Sequence, residues 1–463
     1  MKRFWKKCVN SCMNMDEKEI PALGRPFDLG MLYDCRTNNL LTDRRIWDEK
    51  NIKLHSVSHP QPQCDFDFTA DDTISAKTAF LDINADLKLS LLCGWVQVHG
   101  SAKYLENHRK YTRQSRVTFK YRCRTHFKEL LIREIMSERQ INPRILSSEN
   151  ATHVVAGILY GTDAILVFDR TTTDEEDELE IQRKLEAMVK CLPTASIKSN
   201  TDERKNKLLD NIEFTYHGDI PLDSEPSSFE ENIKAFKTFP SKIGHKGENC
   251  VPMNVFLYPL CKITNKTLTL TKPLEVTLVN QIEERLEKVQ FLKMKCNDLY
   301  ARPTCEYDER YRQKVREMQT IIEQSEQKFK SQLSQNVTGL ISMDLIKRNV
   351  WNFLEEYDKS PFSHEKLDNN LSELRTVINV LDTCVRTIPS SFKDIHLNPL
   401  KDIKHQFSHV NGQFQLPPIE HFFEELRKDD SLTTAQRKQG LRNNIFSMRK
   451  RIKDDRGIFK RKH

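Results

Sequence analysis

The sequence is poor in glycine and contains no long apolar run. Only 13 of its 463 residues are glycine, 30% are charged, and the mean hydropathy is −0.63. No window approaches the roughly 18 uninterrupted apolar residues that suggest a transmembrane helix. The basic N-terminus, MKRFWKKCVNSCMNMDEK, is not followed by the apolar segment of a signal peptide. We therefore expect a cytoplasmic or non-classically secreted protein without a permanent transmembrane helix.

Disulfide frameworks and catalytic motifs are also missing. The twelve cysteines are scattered from Cys8 to Cys384 without a CxxC pair, which is typical of reduced cytosolic thiols. There is no G-x-G-x-x-G, G-x-x-x-x-G-K-S/T, H-E-x-x-H or G-x-S-x-G motif. His55 and His59 lie in a proline-containing connector, residues 55–64, where we expect no metal site. We therefore expect no enzymatic activity, no metal and no cofactor.

The net charge of +7 is concentrated at the C-terminal end of the chain. Residues 434–463 include eleven lysines and arginines but only two aspartates, so the rest is close to neutral. Such a tail could bind anionic lipid, act as a nuclear import signal or be merely solvated, and we do not expect nucleic acid as its partner. Its two basic clusters are Arg449, Lys450, Arg451, Lys460, Arg461 and Lys462.

Apolar patterning in the first half predicts four strands. Apolar residues occupy every second position from Ala79 to Leu91, and again from Val117 to Cys123, with Phe127 on the same face. The nearly uncharged run Thr152–Arg170 predicts a third strand, buried on both faces and bent at its internal glycines. Alternation from Ile212 to Gly218 predicts the fourth. Between the second and third strands we expect a helical connector at about residues 127–147.

The four strands form two pairs, and in each pair a long insertion separates the first strand from the second. The insertions are residues 93–116 and residues 171–210, the second of which starts with an acidic block and predicts an amphipathic helix. Insertions this long inside a compact domain usually have a function or a structure of their own.

Helical periodicity replaces the alternation after residue 271. Apolar residues then recur at steps of three and four in four segments, which predicts an antiparallel four-helix bundle whose apolar stripes form its core. The expected fold class is therefore α+β, with a bent four-stranded antiparallel sheet followed by the helical bundle.

Five segments resemble the stonustoxin and verrucotoxin family of fish-venom cytolysins. They are PALGRPFDLGMLYDCRT, HGSAKYLENHRK, ATHVVAGILYG, FTYHGDIPL and GENCVPMNVFLYPL, in the family order, and the match covers roughly residues 18–385. The resemblance implies a domain like those of perforin and the cholesterol-dependent cytolysins, followed by a focal-adhesion-targeting-like helical domain. Thr152 and His153 lie at the perforin-like Gly-Thr-His signature, where Ala151 departs from the glycine.

The resemblance also implies a role for the two insertions. In such pore formers, two helical clusters flank a bent sheet and unfurl into membrane-spanning β-hairpins on oligomerisation. By position, Gly94, Gly161 and Gly218 would lie at strand bends or ends. The implied partners are copies of the chain or a paralogous subunit, and a lipid membrane. The residues implied to insert are Trp95, Val96, Val98, Ala102, Tyr104, Ile181, Leu185, Met188, Val189 and Leu192.

The charges of the insertions argue against this role. Asn107–Ser115 is basic, residues 174–180 are acidic, and a lipid-facing Arg or Lys near the bilayer midplane costs about 2–4 kcal/mol. Two functions therefore stay open, a pore-forming cytolysin and a non-lytic intracellular interaction or scaffold protein with the same fold.

The resemblance divides the chain into four parts. We expect an N-terminal extension at 1–17, the perforin-like domain at 18–265 and the helical domain at 266–385. Residues 386–463 contain neither the thioredoxin-like nor the PRY-SPRY domain of longer relatives intact, so this region is predicted to be truncated or divergent.

Overall fold

The computed structural model describes most of the chain between residues 17 and 386. Its contacts divide the chain into two compact units. The first comprises the described residues up to Asn297 together with Thr320–Asp368, and the second comprises Asp298–Gln319 and the described residues from Asn369. The predicted basic tail lies outside the described residues. These are 17–137, 151–173, 175–194, 211–222, 226, 228–244, 247–263, 275–337 and 343–386.

Within these ranges, the first unit contains an eight-stranded antiparallel sheet with helices between its strands. The strands are β1 (Lys18–Pro21), β2 (Met31–Asp34), β3 (Asn39–Arg45), β4 (Ser56–Thr69), β5 (Gln114–Leu130), β6 (His153–Thr171), β7 (Ile212–Gly218) and β8 (Val251–Pro259). The helices are α1 (Glu49–Leu54), α2 (Ile74–Phe80), α3 (Ala85–Leu92), α4 (Ile132–Ser137), α5 (Glu178–Lys190) and α6 (Phe229–Lys242). Short 3-10 helices occur at Gly100–Glu106, Leu192–Thr194 and Leu260–Lys262.

The sheet is built around β6. One edge of β6 pairs with β5 and then with β2, and the other edge pairs with β7 and then with β8. Nearly every side chain of β6 is buried. The predicted third strand, buried on both faces, is therefore confirmed. Strands β5 and β7 likewise confirm the second and fourth predicted strands.

The predicted strand between Ala79 and Leu91 is wrong. This stretch contains the end of α2 and most of α3, separated by a turn at Asp82, which has a φ of 58°. Thr73 and Asn84 cap the two helices, because each side chain accepts a hydrogen bond from the backbone N–H three residues later. These local bonds fix two short helices, and the alternation of apolar residues across the turn is incidental.

The outer strand of this part of the sheet is β4, which the sequence analysis treated as a connector. It pairs only with β5 among the described strands, and its register shifts between Pro60 and Gln63. Proline is tolerated on an edge strand because the missing N–H is not needed by a second neighbour. The predicted helical connector at 127–147 is also corrected, because β5 continues to Leu130 before α4 begins. Residues 138–147 lie outside the described residues.

Cys64 of β4 and Cys123 of β5 are directly paired across the two strands and form a disulfide. Their Cα atoms are 4.1 Å apart. The prediction that the cysteines are reduced is therefore wrong for this pair, which sequence spacing could not reveal while β4 was unrecognised. Free thiols occur at Cys35, Cys93, Cys250, Cys261, Cys296 and Cys305.

The three glycines assigned to strand bends or ends have different positions. Gly94 follows the C-terminus of α3 with a φ of 74°, so it ends a helix rather than bending a strand. Gly161 lies within β6, next to register shifts in its pairing with both β5 and β8. A Cβ at Gly161 would lie 2.3 Å from the carbonyl oxygen of Cys123, so only glycine fits there. Gly218 is the last residue of β7.

Helices dominate the chain after β8, as the periodicity predicts. They are α7 (Val276–Tyr300), α8 (Pro303–Tyr307), α9 (Glu309–Val337), α10 (Met343–Lys359) and α11 (His364–Arg386). In the first unit, Ile282 of α7, Phe329 of α9 and Val350 of α10 belong to one buried apolar cluster. In the second unit, Asp382 of α11 accepts hydrogen bonds from the backbone and hydroxyl of Thr304. None of the described helices combines the length and apolar character needed to cross a bilayer.

Replacing Gly161 with alanine is expected to destabilise the sheet by about 1–3 kcal/mol. The added Cβ would overlap the Cys123 carbonyl, which cannot move without disturbing the β5–β6 pairing. Gly94→Ala is the matched control, because it introduces a left-handed alanine in open space and should cost about 1 kcal/mol. Urea unfolding would compare the two variants, and a larger loss for Gly94→Ala would contradict this account.

Candidate functional site

Two helical clusters connect neighbouring strands of the sheet. The first cluster, residues 70–113, joins β4 to β5 and contains α2, α3 and the 3-10 helix Gly100–Glu106. The second cluster, the described residues of 172–211, joins β6 to β7 and contains α5. The first insertion was predicted to begin only at residue 93, because the apolar alternation of the preceding helices indicated a strand. The second insertion has nearly its predicted bounds.

The clusters cover opposite faces of β6. Ile165 and Val167 pack against the first cluster, whereas Leu166 and Phe168 pack with α5. Alternate residues of a strand point to opposite faces, so both faces of β6 need a cover. Of the residues proposed to insert into a membrane, the structure buries all except Trp95 and Met188, which are half-buried. In this arrangement they are core residues that attach the clusters to the sheet.

Arg116 of β5 holds the start of the first cluster through buried ion pairs. Its Nε and Nη2 lie 2.7 and 2.6 Å from the carboxylate of Asp169 on β6. Its Nη1 lies 2.7 Å from Asp72, which also receives the ammonium of Lys77 at 2.9 Å. Burial alone would raise the pKa of the Asp72 carboxyl, but Lys77 and Arg116 hold it below its usual value. The result is a line of alternating charges, Asp169, Arg116, Asp72 and Lys77.

Arg122, six residues further along β5, repeats this arrangement. Its Nε and Nη2 bond the carboxylate of Asp163 on β6 at 2.9 and 2.8 Å. Its Nη1 bonds Asp82, at the turn between α2 and α3, at 2.5 Å. Between the two arginines, Lys120 donates to the backbone carbonyl of Phe80 and lies 4.1 Å from the centroid of its ring. Three cations on one face of β5 therefore bind the first cluster.

Sequence reasoning missed these cations as a site. The alternation of Lys120 and Arg122 with apolar residues predicted only a strand with these cations on the face opposite to its apolar residues. The signal that could have corrected this is the pair of aspartates in β6, Asp163 and Asp169, since they interrupt a run that is otherwise nearly uncharged. A carboxylate in a strand buried on both faces needs a cationic partner.

Asp219 connects the end of β7 to the first cluster and to β6. Its Oδ1 accepts a hydrogen bond from the backbone of Ser101 at 2.9 Å. Its Oδ2 accepts hydrogen bonds from the Ser101 hydroxyl at 3.2 Å and from the backbone of Asp163 at 2.8 Å. Burial and the nearby Asp163 carboxylate raise the pKa of Asp219 to about 6. Ionisation of Asp219 therefore destabilises the arrangement in which it joins β7 to Ser101 and Asp163.

The helices after β8 restrain the first cluster from its other side. Leu89, Leu92 and Cys93 belong to the same apolar cluster as α7, α9 and α10. The indole of Trp95 donates to the Ser334 hydroxyl at 2.6 Å. Lys88 pairs with Glu283 of α7 at 2.8 Å. The first cluster is thus packed between the sheet and the first-unit part of these helices.

Thr152 and His153 lie at the opposite end of β6 from the two clusters. The Thr152 hydroxyl accepts from the backbone of Cys35 at 2.9 Å and donates to the Tyr33 carbonyl at 3.1 Å. His153 is fully buried, with its Nδ1 3.1 Å from the Cys35 sulfur. The signature residues therefore fasten β6 to β2 and do not join the other site residues.

Two family models match the chain. "SNTX, MACPF/CDC-like domain" matches residues 17–211, and "Stonustoxin helical domain" matches residues 284–379. Neoverrucotoxin subunit beta from Synanceia verrucosa is 33% identical over 377 residues, which cover 81% of this chain and 53% of the relative. Stonustoxin subunit alpha from Synanceia horrida is 34% identical over 373 residues, covering 79% and 52%.

A solved structure of the same family also matches this chain in fold. The structure titled "Stonustoxin structure" aligns with a TM-score of 0.63 at 30% identity, over 80% of this chain and 50% of that chain. This chain spans about half the length of the curated relatives it matches.

Replacing Arg116 with methionine is expected to cost about 3–5 kcal/mol in the free energy of unfolding. The change leaves Asp169 buried without its cation and removes one of the three cations that pair with Asp72, the others being Lys77 and Arg109. Lys53→Met is the control, because the Lys53–Glu49 pair is exposed and its loss should cost less than about 1 kcal/mol. Urea unfolding of both variants is the measurement, and equal losses would contradict a structural role for the buried pairs.

Asp219→Asn is expected to change how stability depends on pH. The folded pKa of about 6 lies above the ordinary value of 3.8, so wild type gains stability as pH falls through 6, and the gain is complete below about 4. The asparagine variant cannot make this gain. The difference in unfolding free energy, wild type minus variant, should therefore rise from pH 7.5 to pH 4. A difference that stays constant over this range would contradict the assignment.

Proposed function

Because this chain carries two domains of the stonustoxin family, the MACPF/CDC-like domain and the helical domain, we propose that it is a pore-forming cytolysin whose two helical clusters refold into membrane hairpins. The supporting observation is that each cluster connects two antiparallel strands that are neighbours in the sheet, β4 with β5 and β6 with β7. Each strand pair can therefore be extended by its cluster without breaking a strand pairing that already exists. The family also agrees with the prediction that the protein is not an enzyme.

The clusters are long enough for this change. A membrane strand needs about 9–11 residues, so a hairpin needs about twice that number. Residues 70–113 and 172–211 both exceed this length. The cations at 109–116 and the carboxylates at 174–180 would have to face a water-filled lumen or lie beyond the hydrocarbon, because a lipid-facing Arg or Lys costs about 2–4 kcal/mol.

The finer architecture belongs to the same proposal. We assign β4, β5, β6 and β7 as the bent four-stranded sheet, with Gly161 at the bend, and α7, α9, α10 and α11 as an antiparallel four-helix bundle. The register shifts beside Gly161 and the apolar cluster shared by α7, α9 and α10 in the first unit support these assignments. We retain residues 18–265 and 266–385 as the proposed bounds of the two domains.

The proposed partners are a second copy or a paralogous subunit, and a lipid membrane. The relatives are named as alpha and beta subunits, which supports a paired assembly. The Cys64–Cys123 disulfide supports release from the cell over residence in the cytosol, because the cytosol keeps thiols reduced. The non-lytic scaffold is not favoured by the family match and would be supported by a negative pore assay.

A disulfide trap tests whether the first cluster must leave the sheet. A Cβ at Gly100 would lie 3.6 Å from the Cα of Asp219, so Gly100→Cys with Asp219→Cys can join the first cluster to the end of β7. Dye release is measured from vesicles of phosphatidylcholine, phosphatidylserine and cholesterol. We expect release by wild type, little release by the oxidised trap, and recovery after reduction.

Two controls make the result specific. Wild type receives the same reductant, because its own Cys64–Cys123 disulfide can be reduced, and Gly100→Ser with Asp219→Ser reports the cost of the substitutions alone. An oxidised trap that leaks as fast as its reduced form would overturn the role of the first cluster. Absence of both dye release and ring-shaped oligomers for wild type would overturn pore formation.

A further inference from the structure

The basic stretch Arg109–Arg116 contacts both helical clusters. Its cations make membrane insertion unfavourable. In the structure, its backbone and side chains bond partners on several elements. The Arg109 backbone N–H donates to Asp72 in the first cluster at 3.0 Å. Arg113 donates from Nη2 to the carbonyl of Glu176 in the second cluster at 3.0 Å. Lys110 pairs with Glu213 of β7 at 3.0 Å.

We propose that this stretch is an interlock through which the two helical clusters leave the sheet together. The inference rests on the proposed function, because it assumes that the clusters leave the sheet. It adds that opening of the first cluster lowers the barrier to opening of the second, through contacts at residues 109–116.

The backbone around Arg113 provides the first part of the interlock. Thr172, the first residue after β6, donates from its backbone N–H to the Arg113 carbonyl at 3.0 Å and from its hydroxyl at 3.3 Å. The same arginine reaches Glu176 with its side chain, and Glu176 pairs with Arg170 of β6 at 2.7 Å. The end of the first cluster and the beginning of the second are therefore bonded to each other.

Gln182 of α5 provides the second part. Its side-chain oxygen accepts from the Arg116 backbone N–H at 3.2 Å, and its side-chain nitrogen donates to the Arg116 carbonyl at 3.0 Å. A single amide thus satisfies both backbone groups of Arg116, as a neighbouring strand would. The guanidinium of the same residue holds Asp72 of the first cluster. Arg116 is therefore bonded to the second cluster by its backbone and to the first by its side chain.

The contacts differ in their expected contribution. Lys110 and Glu213 are both more than half exposed, so solvent screens their attraction and the pair contributes little. The contacts of Gln182 satisfy the backbone groups of the buried Arg116, and leaving such groups unpaired is unfavourable. Arg113 adds a charged donor to the Glu176 carbonyl. The coupling should therefore depend on Gln182 and Arg113, while Lys110 offers a matched control in the same stretch.

Native-state hydrogen exchange of the full chain, read by peptide mass spectrometry, tests the proposal without a membrane. Val98→Ala opens a cavity in the first cluster away from the interlock and should speed exchange there by about tenfold or more. With the interlock intact, peptides of α5 should be accelerated by a similar factor. Gln182→Met and Arg113→Met remove the side-chain contacts and leave the bonds from Thr172 to the Arg113 carbonyl. In that background Val98→Ala should therefore accelerate α5 exchange several-fold less than it does with the interlock intact.

The controls separate this proposal from the proposed function. Lys110→Met in place of the double change should leave the coupling intact, and Thr73→Ala, which removes the cap of α2, replaces Val98→Ala if that variant does not fold. Unchanged α5 exchange with the interlock intact, or equal acceleration after it is cut, would overturn the interlock. Because the readout needs no lipid, failure of the dye-release assay would leave this result standing, and coupled exchange would not by itself establish a pore.

Discussion

Two buried arginines of β5, Arg116 and Arg122, determine how the first helical cluster is held. Each bonds an aspartate of β6 with two nitrogens and uses a third for an aspartate of the cluster. Desolvating such charges is costly, and the cost is recovered only while every partner is in place. Displacement of the cluster would take Asp72 away from Arg116 and Asp82 away from Arg122, while both arginines would keep their aspartates on β6. The sheet thus holds the two arginines in place, and their third nitrogens hold the cluster.

The same cations give β5 two chemically different faces. Arg116, Lys120 and Arg122 point towards the first cluster, whereas Phe119 and Tyr121 pack on the other side with α6. If β5 continues into a membrane hairpin as proposed, its charged face has to stay with water and its apolar face has to lie against protein or lipid. The alternation that first identified β5 as a strand therefore also restricts how a refolded strand can be oriented.

The sequence predicts the inner strands well because their signal is local. The nearly uncharged run Thr152–Arg170 predicted a buried strand, and β6 has that form. The wrong prediction of a strand at Ala79–Leu91 and the failure to predict β4 have the same cause. The caps at Thr73 and Asn84 determine that Ala79–Leu91 is helical, and the edge position of β4 allows it to contain Pro60. Hydrophobic alternation reports neither helix caps nor edge positions. The ion pairs were also hidden, because Arg116 and Asp169 are 53 residues apart.

Two kinds of interaction hold the first cluster, ion pairs and apolar contacts, and they would respond differently if the cluster were released as proposed. Ion pairs with β5 weaken once water enters, but Leu89 and Leu92 would also have to leave an apolar cluster shared with α7 and α9. Exposing a buried leucine costs about 1.5–3 kcal/mol, and salt or pH does not remove that cost. Electrostatic loosening at the sheet is therefore insufficient to free α3. If the first cluster leaves the sheet as proposed, a new apolar surface, supplied by lipid or by a second subunit, has to replace the contacts with these helices.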